Sequence, residues 1–301
     1  QAKTLFPYTT LFRSLSPYDS CRLLLINTLS FVNQPYTKNA AVNWVHFAEV
    51  VRHSQRLMDD IIDMELESID RILAKIANDP EPEHIKAAEK RLWTNIRQAC
   101  ERGRRTGLGV TAVGDFVAAL GMRYGSEESI RVVEELYKQL ALNSYASSIE
   151  LAKERGAFPA FSHDLERNDP FLQRIWDARP DFYEAYLKYG RRNIANNTTA
   201  PAGSASILVK AVMGFGTTSG IENAVFAAFY LRRKKINPSD TNARVDFVDA
   251  QGDKWTEYKV YNQGFAAWKE INQKGDEDQK RCQLDIFVKI ISNGRRCCQR
   301  D

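Results

Sequence analysis

The chain has 301 residues, 44% hydrophobic and 27% charged, with a formal net charge of +4. That is enough chain for one large domain or two smaller ones with a sizeable core, and so small a charge excess gives no reason of its own to expect nucleic acid. No apolar run reaches bilayer-spanning length and no stretch has the layout of a cleavable signal, so the expectation is a cytoplasmic protein with no membrane partner.

Thr4 to Ser14 reads as one frame of a common sequencing-adapter oligonucleotide and joins abruptly to different sequence at Leu15. Residues 1–14 are therefore expected to be an artefact outside the fold. From Leu15 the organisation is α/β. Leu23 to Ile26 is a short unbroken apolar run after a Ser-Pro-Tyr-Asp turn, as for a strand buried on both faces. A long helix is predicted over about Ala41 to Ala77, because Leu57, Met58, Ile61, Ile62, Ile69, Ile72, Leu73 and Ile76 keep helical spacing and Asn78-Asp79-Pro80 stops them. A second helix is predicted over about Glu83 to Arg102, and a third over about Glu127 to Arg155, ended by Gly156. Between them, Gly103 to Gly114 reads as a glycine-punctuated turn carrying Arg104 and Arg105.

Arg191 to Ser206 reads as a strand turning through a small-residue loop into a helix. Ala202, Gly203, Ser204 and Ala205 have little bulk, so their backbone N–H groups can approach an anion. Ser204 and Ser206 add hydroxyl donors, and a helix beginning at Ile207 would point its positive end at the same place. The spacing is neither a Walker loop nor G-x-G-x-x-G, and local pattern alone favours an ordinary capped helix. Beyond Gly220, Ala224 to Tyr230 and Tyr258 to Tyr261 are candidate strands, separated by the basic run Arg232 to Lys235 and an Asn-Pro-Ser-Asp turn.

Three constellations could carry chemistry. Asp59-Asp60-Ile61-Ile62-Asp63 matches the D-D-x-x-D pattern that holds magnesium diphosphate in isoprenoid diphosphate synthases, with carboxylates one helical turn apart. Such an enzyme needs a second aspartate-rich helix, and Asp115 and Asp164 lack the neighbours for one. A solvated or helix-pairing acidic face continuing through Glu65, Glu67 and Asp70 is the favoured reading. Arg232 to Lys235, with Arg191, Arg192, Arg102, Arg104 and Arg105, could form the surface of a nucleic-acid-binding module. Without interleaved aromatics, such residues are more often solvated rims or internal salt-bridge partners, and no nucleic acid is expected. His46, His53, His84 and His163 lack metal-ligand spacing, and the five cysteines (Cys21, Cys100, Cys282, Cys297, Cys298) include no C-x-x-C pair, so no metal site and no disulfide framework is expected. The third candidate is Cys21, in Asp-Ser-Cys-Arg at the mouth of the first strand. Taken alone it reads as a small core residue.

Six segments in order carry a resemblance. They are Leu15 to Val32, Arg56 to Asp63, Gly103 to Gly109 (Gly-Arg-Arg-Thr-Gly-Leu-Gly), Leu151 to Pro159, Arg191 to Ser206 and Thr217 to Glu222. Together they resemble the catalytic subunit of ribonucleotide reductase, and the Asp-Ser-Cys-Arg-Leu version is most similar to the adenosylcobalamin-dependent class. The alternative within the family is the class I large subunit, whose radical comes from a separate metal-containing subunit. The resemblance runs to about Trp268. It implies part of a ten-stranded α/β barrel over residues 15–280, helix-rich in this stretch, followed by a divergent or frame-shifted tail at 281–301.

In that family a thiyl radical abstracts the ribose 3′ hydrogen, the 2′ hydroxyl leaves as water, and a cysteine pair becomes a disulfide. The products are deoxyribonucleotides for DNA synthesis. The resemblance implies that Cys21 is the second, redox-active cysteine of the pair, and that Ala202, Gly203, Ser204, Ala205 and Ser206 form the substrate-phosphate loop, with Ala202 in place of the usual threonine. It also implies a ribonucleoside di- or triphosphate substrate, adenosylcobalamin, a thioredoxin-like reductant and a homodimer in the intact enzyme. The family's Asn-x-Cys-x-Glu motif should stand just before Leu15, where the adapter-like sequence lies. The expectation is therefore a fragment without the radical cysteine, inactive as it stands.

Overall fold

The computed structural model describes residues 17–200, 205, 208, 229–240, 242–261 and 263–272. In chain order its elements are β1 (Arg22–Asn27), a 3-10 turn (Thr28–Phe31), β2 (Val32–Asn33), β3 (Ala41–Val42), α1 (Trp44–Asn78), α2 (Glu83–Gly103), β4 (Thr106–Thr111), α3 (Val113–Ala119) and α4 (Glu127–Arg155). There follow α5 (His163–Glu166), α6 (Pro170–Ala178), α7 (Pro180–Tyr189), β5 (Phe229–Lys235), β6 (Phe247–Val248), β7 (Lys254–Tyr261) and α8 (Gln263–Asn272). Two units divide the chain: residues 1–26, 43–110 and 134–200 in one, residues 27–42, 111–133 and 201–301 in the other.

In the first unit the three long helices stand where the apolar spacing predicts them. α1 starts at Trp44 rather than Ala41, because Ala41 and Val42 pair as a strand with Asn33 and Val32 and Asn43 caps the helix by accepting from the His46 N–H at 3.1 Å. Phe47, Val51, Met58, Ile62, Ile69 and Ile76 are buried along one α1 face, each contributing about 1.5–3 kcal/mol of transfer free energy. α6 and α7 are additional to the predicted elements, and each opens on a proline at its first turn, where the missing N–H costs nothing. Their Leu172, Ile175, Trp176 and Tyr186 close a core with Leu142, Tyr145 and Ile149 of α4.

The stretch from Gly103 to Gly114, expected as a turn, holds a strand. All six residues of β4 are buried, and the glycines serve close packing rather than reversal. A Cβ on Gly107 would lie 2.6 Å from the Cys21 Sγ and 2.8 Å from Leu23 Cδ2, and one on Gly109 would lie 2.7 Å from the Thr198 carbonyl oxygen. The chain turns at the two ends of the strand instead, at Arg104, the α2 cap (φ 46°), and at Ala112, which precedes α3 (φ 63°), both in the left-handed region. β4 pairs with β1. Residues 194–198 run beside it as an extended stretch: the Thr106 N–H donates to the Ala195 carbonyl at 3.0 Å, that of Leu108 to Asn196 at 2.7 Å, and that of Thr198 to Leu108 at 2.9 Å. One parallel bridge joins Leu108 and Asn197.

In the second unit, α3 is buried at every position and packs with the 3-10 turn, whose Thr28 hydroxyl donates to the Thr111 carbonyl at 2.8 Å. β5 pairs antiparallel with β7 from Phe229↔Tyr261 to Lys235↔Trp255, and β6 covers the other edge of β7. The strand expected over Ala224 to Tyr230 thus has its described part shifted into the basic run. Alternate residues of that run find partners: Arg233 Nε meets Glu257 at 2.8 Å and lies over the Phe247 ring, and Lys235 pairs with Asp253. The helix-rich α/β class holds. A ten-stranded closed barrel is not present among the described residues, because their strands fall into three separate sheets, β1-β4, β2-β3 and β5-β7-β6.

Candidate functional site

Cys21 is a free, half-buried thiol at the entry to β1. Its Sγ rests over Gly107 of β4, where any side chain would collide with it. Charges flank it on both sides in the chain. The Asp19 carboxylate, 5% exposed, accepts from Arg105 Nε at 2.8 Å. Arg22 pairs through Nε with Glu65 of α1, donates through Nη1 to the Ser20 carbonyl at 3.0 Å, and reaches the Cys100 Sγ of α2 through Nη2 at 2.9 Å. Burial pushes the Cys21 thiol up, Arg105 and then Arg22 pull it down, Asp19 adds a smaller upward push, and the net shift is upward. Cys21 is thus held as S–H at neutral pH. Cys100, 1% exposed, is pushed up to about 11, chiefly by burial.

The aspartate-rich motif takes the helix-pairing form expected of it rather than the diphosphate-binding one: Asp60 and Asp70 of α1 pair with Arg155 of α4 and Arg97 of α2. Asp59 is fully buried and is neither a diphosphate ligand nor part of a solvated face. Its Oδ1 accepts from Arg104 Nε at 2.8 Å and Asn193 Nδ2 at 3.0 Å, and its Oδ2 from Arg155 Nη1 at 3.1 Å and Arg192 Nε at 3.3 Å. Burial alone would raise its pKa. The hydrogen bond and charge of Arg104, followed by those of Arg192, outweigh that and hold the carboxyl below its usual range. Asp60 takes Arg155 at 2.7 Å and Asp63 takes Arg104 at 2.8 Å. With both its oxygens spent on arginines and Asn193, Asp59 has none to offer magnesium, and no group of three His, Cys, Asp or Glu residues among the described residues is placed to hold a metal. Arg104, Arg155 and Arg192 are accordingly internal salt-bridge partners, which for Arg104 and Arg192 the sequence had left open.

The network extends to the 194–198 stretch. Gln55 Nε2 donates to Thr106 Oγ1 and to Asn193 Oδ1, both at 3.1 Å, and Ser148 Oγ meets the same Asn193 oxygen at 3.0 Å. Further along, Asn196 Oδ1, Asn197 Nδ2 and Thr198 Oγ1 are buried with no hydrogen-bond partner among the described residues. Burying unpaired polar atoms costs free energy, so such a run immediately before residue 200 is suited to water or a polar ligand. Of the proposed phosphate loop, Ala205 is helical and half-buried. Ala202, Gly203, Ser204 and Ser206 lie outside the described residues, as do Thr217 to Glu222 and the stretches 1–14 and 281–301. Sequence reasoning singled out Cys21 but passed over Asp19 and Gly107, which hold it. The alternation Gly107-x-Gly109 beside an apolar strand was the available signal.

A cavity of about 330 Å³ between α1, α4 and α7 is bordered by Arg52, His53, Arg56 and Arg179 over an apolar floor that includes Ile149 and Phe182. Arg56 is bidentate to Glu154 and Arg179 to Asp181, which neutralises most of that rim. No helix among the described residues is long and apolar enough to cross a membrane.

Comparison with known proteins bears on this arrangement. The family model described as ribonucleotide reductase, barrel domain, matches residues 13–259. A vitamin B12-dependent ribonucleoside-diphosphate reductase of Mycobacterium tuberculosis is 30% identical over 216 residues, which are 71% of this chain and 23% of that protein. One from Thermoplasma acidophilum is 27% identical over 219 residues, 72% of this chain and 22% of that protein. The ribonucleoside-diphosphate reductase large subunit of African swine fever virus is 40% identical over 80 residues, 27% of this chain and 10% of that one. Among solved structures, the Actinobacillus ureae class Id ribonucleotide reductase alpha subunit shares the fold, with a TM-score of 0.50 at 14% identity over 90% of this chain and 38% of that chain. The chain spans about a quarter of the length of the B12-dependent relatives it matches.

Proposed function

The chain belongs to the ribonucleotide reductase family, and from that membership we propose that it serves the reduction of ribonucleoside di- or triphosphates to deoxyribonucleotides, with Cys21 as a redox-active reductant. The observation that carries this reading is the seat of Cys21: a free thiol at a strand entry, held over a glycine that leaves room for nothing else. In the reaction the 2′ hydroxyl is replaced by hydrogen and leaves as water, while two thiols give up two electrons and two protons and join as a disulfide. Cys21 is one of those two thiols. Burial supports the role, since a group that must deliver hydrogen has to arrive protonated.

Residues Ala202 to Ser206 are the substrate-phosphate loop in this proposal, binding through backbone N–H groups and a helix end. The orphaned polar atoms at Asn196, Asn197 and Thr198, just upstream, support a polar ligand in this part of the chain. The reading brings with it a thioredoxin-like dithiol that re-reduces the pair, a homodimeric assembly and a cytoplasmic location.

The B12-dependent relatives point to adenosylcobalamin, which supplies the radical when bound. The one cavity described above does not fit it. The cavity at α1, α4 and α7, about 330 Å³, stands at the lower end of small-molecule sites, roughly 300–1,000 Å³, and has no room for a corrinoid macrocycle.

The test is a chimera carrying residues 15–259 in place of the matching stretch of the M. tuberculosis reductase. A folded chimera should reduce ribonucleotides, lose turnover with Cys21→Ser and keep it with Cys100→Ser. Turnover that survives Cys21→Ser refutes the assignment.

A further inference from the structure

We propose that Arg105 and Asp19 are positioning residues for Cys21, fixing its thiol over β4 and setting its reactivity with opposite signs. The inference rests on the reductant reading for its purpose, although its geometry stands independently.

Among the described residues, the charged or titratable groups around Cys21 form one small set: Asp19 and Arg22 on its own segment, Arg105 on the approach to β4, and behind Arg22, Glu65 of α1 and Cys100 of α2. Arg22 is fully engaged. It is tied to Glu65, to two backbone carbonyls (Ser20 and Arg105), to Cys100 and, at the longer distance of 3.8 Å, to Asp19. Among the described residues the Arg105 side chain pairs with Asp19 alone, through Nε at 2.8 Å. Its side chain is 15% exposed against 5% for Asp19, so water screens the pair poorly. Asp19 stands two residues before Cys21 and Arg105 two residues before Gly107. The ion pair therefore joins the two backbones at the height where Sγ crosses the glycine.

Two consequences follow from this placement. The pair fixes the chain leading into Cys21, so the thiol keeps its seat. The guanidinium favours the thiolate and the carboxylate disfavours it, so Asp19 offsets the charge that Arg105 supplies. Of the charges that move the Cys21 equilibrium, Arg105 is the largest. A pair so arranged keeps the thiol protonated at rest while leaving a cation beside it for the moment when thiol–disulfide exchange needs the thiolate.

The test is the pH profile of Cys21 alkylation by iodoacetamide in the intact chain, read on the Cys21 peptide by mass spectrometry. Arg105→Gln should move the profile to higher pH and lower the rate near neutrality about threefold to tenfold. Asp19→Asn should move it to lower pH and raise the rate by a similar factor, and Arg105→Lys should restore most of the native profile. A merely structural contact predicts the same direction for both variants, since either one opens the seat. Profiles displaced in the same direction, or not at all, overturn the proposal. Failure here leaves the chimera result standing, whereas a chimera indifferent to Cys21→Ser with opposed profiles intact removes the reductant and keeps the pair.

Discussion

Replacing Asp59 by asparagine should be the most damaging conservative change in the first unit. The carboxylate collects four donors, three of them guanidinium groups. An amide in the same place keeps one oxygen for two of them and turns an N–H toward the other two. Hydrogen bonds to charged groups contribute about 1.5–3 kcal/mol each, so losing two costs roughly 3–6 kcal/mol. Arg155 retains Asp60, and Arg104 retains Asp63. Because that leaves less charge uncovered, the lower part of the range applies, about 3–4 kcal/mol, near the low end for breaking a buried ion pair. At about 2–4 °C per kcal/mol for a unit of this size, the melting midpoint should fall by roughly 6–16 °C. Differential scanning calorimetry of Asp59→Asn beside Asp70→Asn gives the comparison, since Asp70 meets Arg97 on the exposed surface and its loss should leave the midpoint unchanged. A shift under about 2 °C for Asp59→Asn, with calorimetry still two-state, would refute the account of the cluster.

Gly107→Ala should destabilise by about 1–3 kcal/mol, because the new methyl meets Cys21 Sγ, Leu23 Cδ2 and the Arg22 carbonyl at 2.6, 2.8 and 3.1 Å; chemical denaturation reads the cost, and faster labelling of Cys21 reports its displacement. Stability should fall on acidification below about pH 4, because Asp59 is held below its usual range when folded: its contribution is complete above the unfolded pKa and is lost as pH falls through the folded one. An acid limb that disappears in Asp59→Asn confirms the source. On the alkaline side, burial raises Tyr36, Tyr145 and Tyr186, so their contribution is complete below about pH 10 and is lost as pH rises through the folded values, measurable as a falling urea midpoint. Gly203→Asp should abolish binding of a ribonucleoside diphosphate in calorimetric titration, and undiminished affinity would remove the phosphate loop.

Much of the helical scaffold could be read in advance because it obeys local rules. The apolar spacing of α1 and its stop at Asn78-Asp79-Pro80 need no knowledge of what the helix packs against. β4 was misread because Gly107 and Gly109 have the composition of a turn, and only the approach of Cys21 and of the Thr198 backbone shows why a strand wants glycine there. The motif at Asp59 was ambiguous for a related reason. Its carboxylate is decided by arginines at 104, 155 and 192, and no short window contains both sides of that bargain. The basic run at Arg232 to Lys235 was legible as charge but not as strand, since its pairing depends on Glu257 and Asp253 across the sheet. Cys21 was found through resemblance alone, and its surroundings through the structure.

The partners of Asp59 lie 45, 96 and 133 residues further along the chain, and this spacing bears on the order of assembly. A partly folded chain that docked α1 against β4 but had not yet brought in α4 and the 191–198 stretch would bury a carboxylate with one guanidinium and a half-filled set of donors. Such a species is penalised by the same desolvation that the finished cluster overcomes, so no stopping point between open and closed is comfortable. Charges placed this way act as a latch on cooperativity: they disfavour intermediates more than they favour the end state. The first unit should accordingly fold all at once, with hydrogen exchange at β4, α1 and α4 governed by a single opening event.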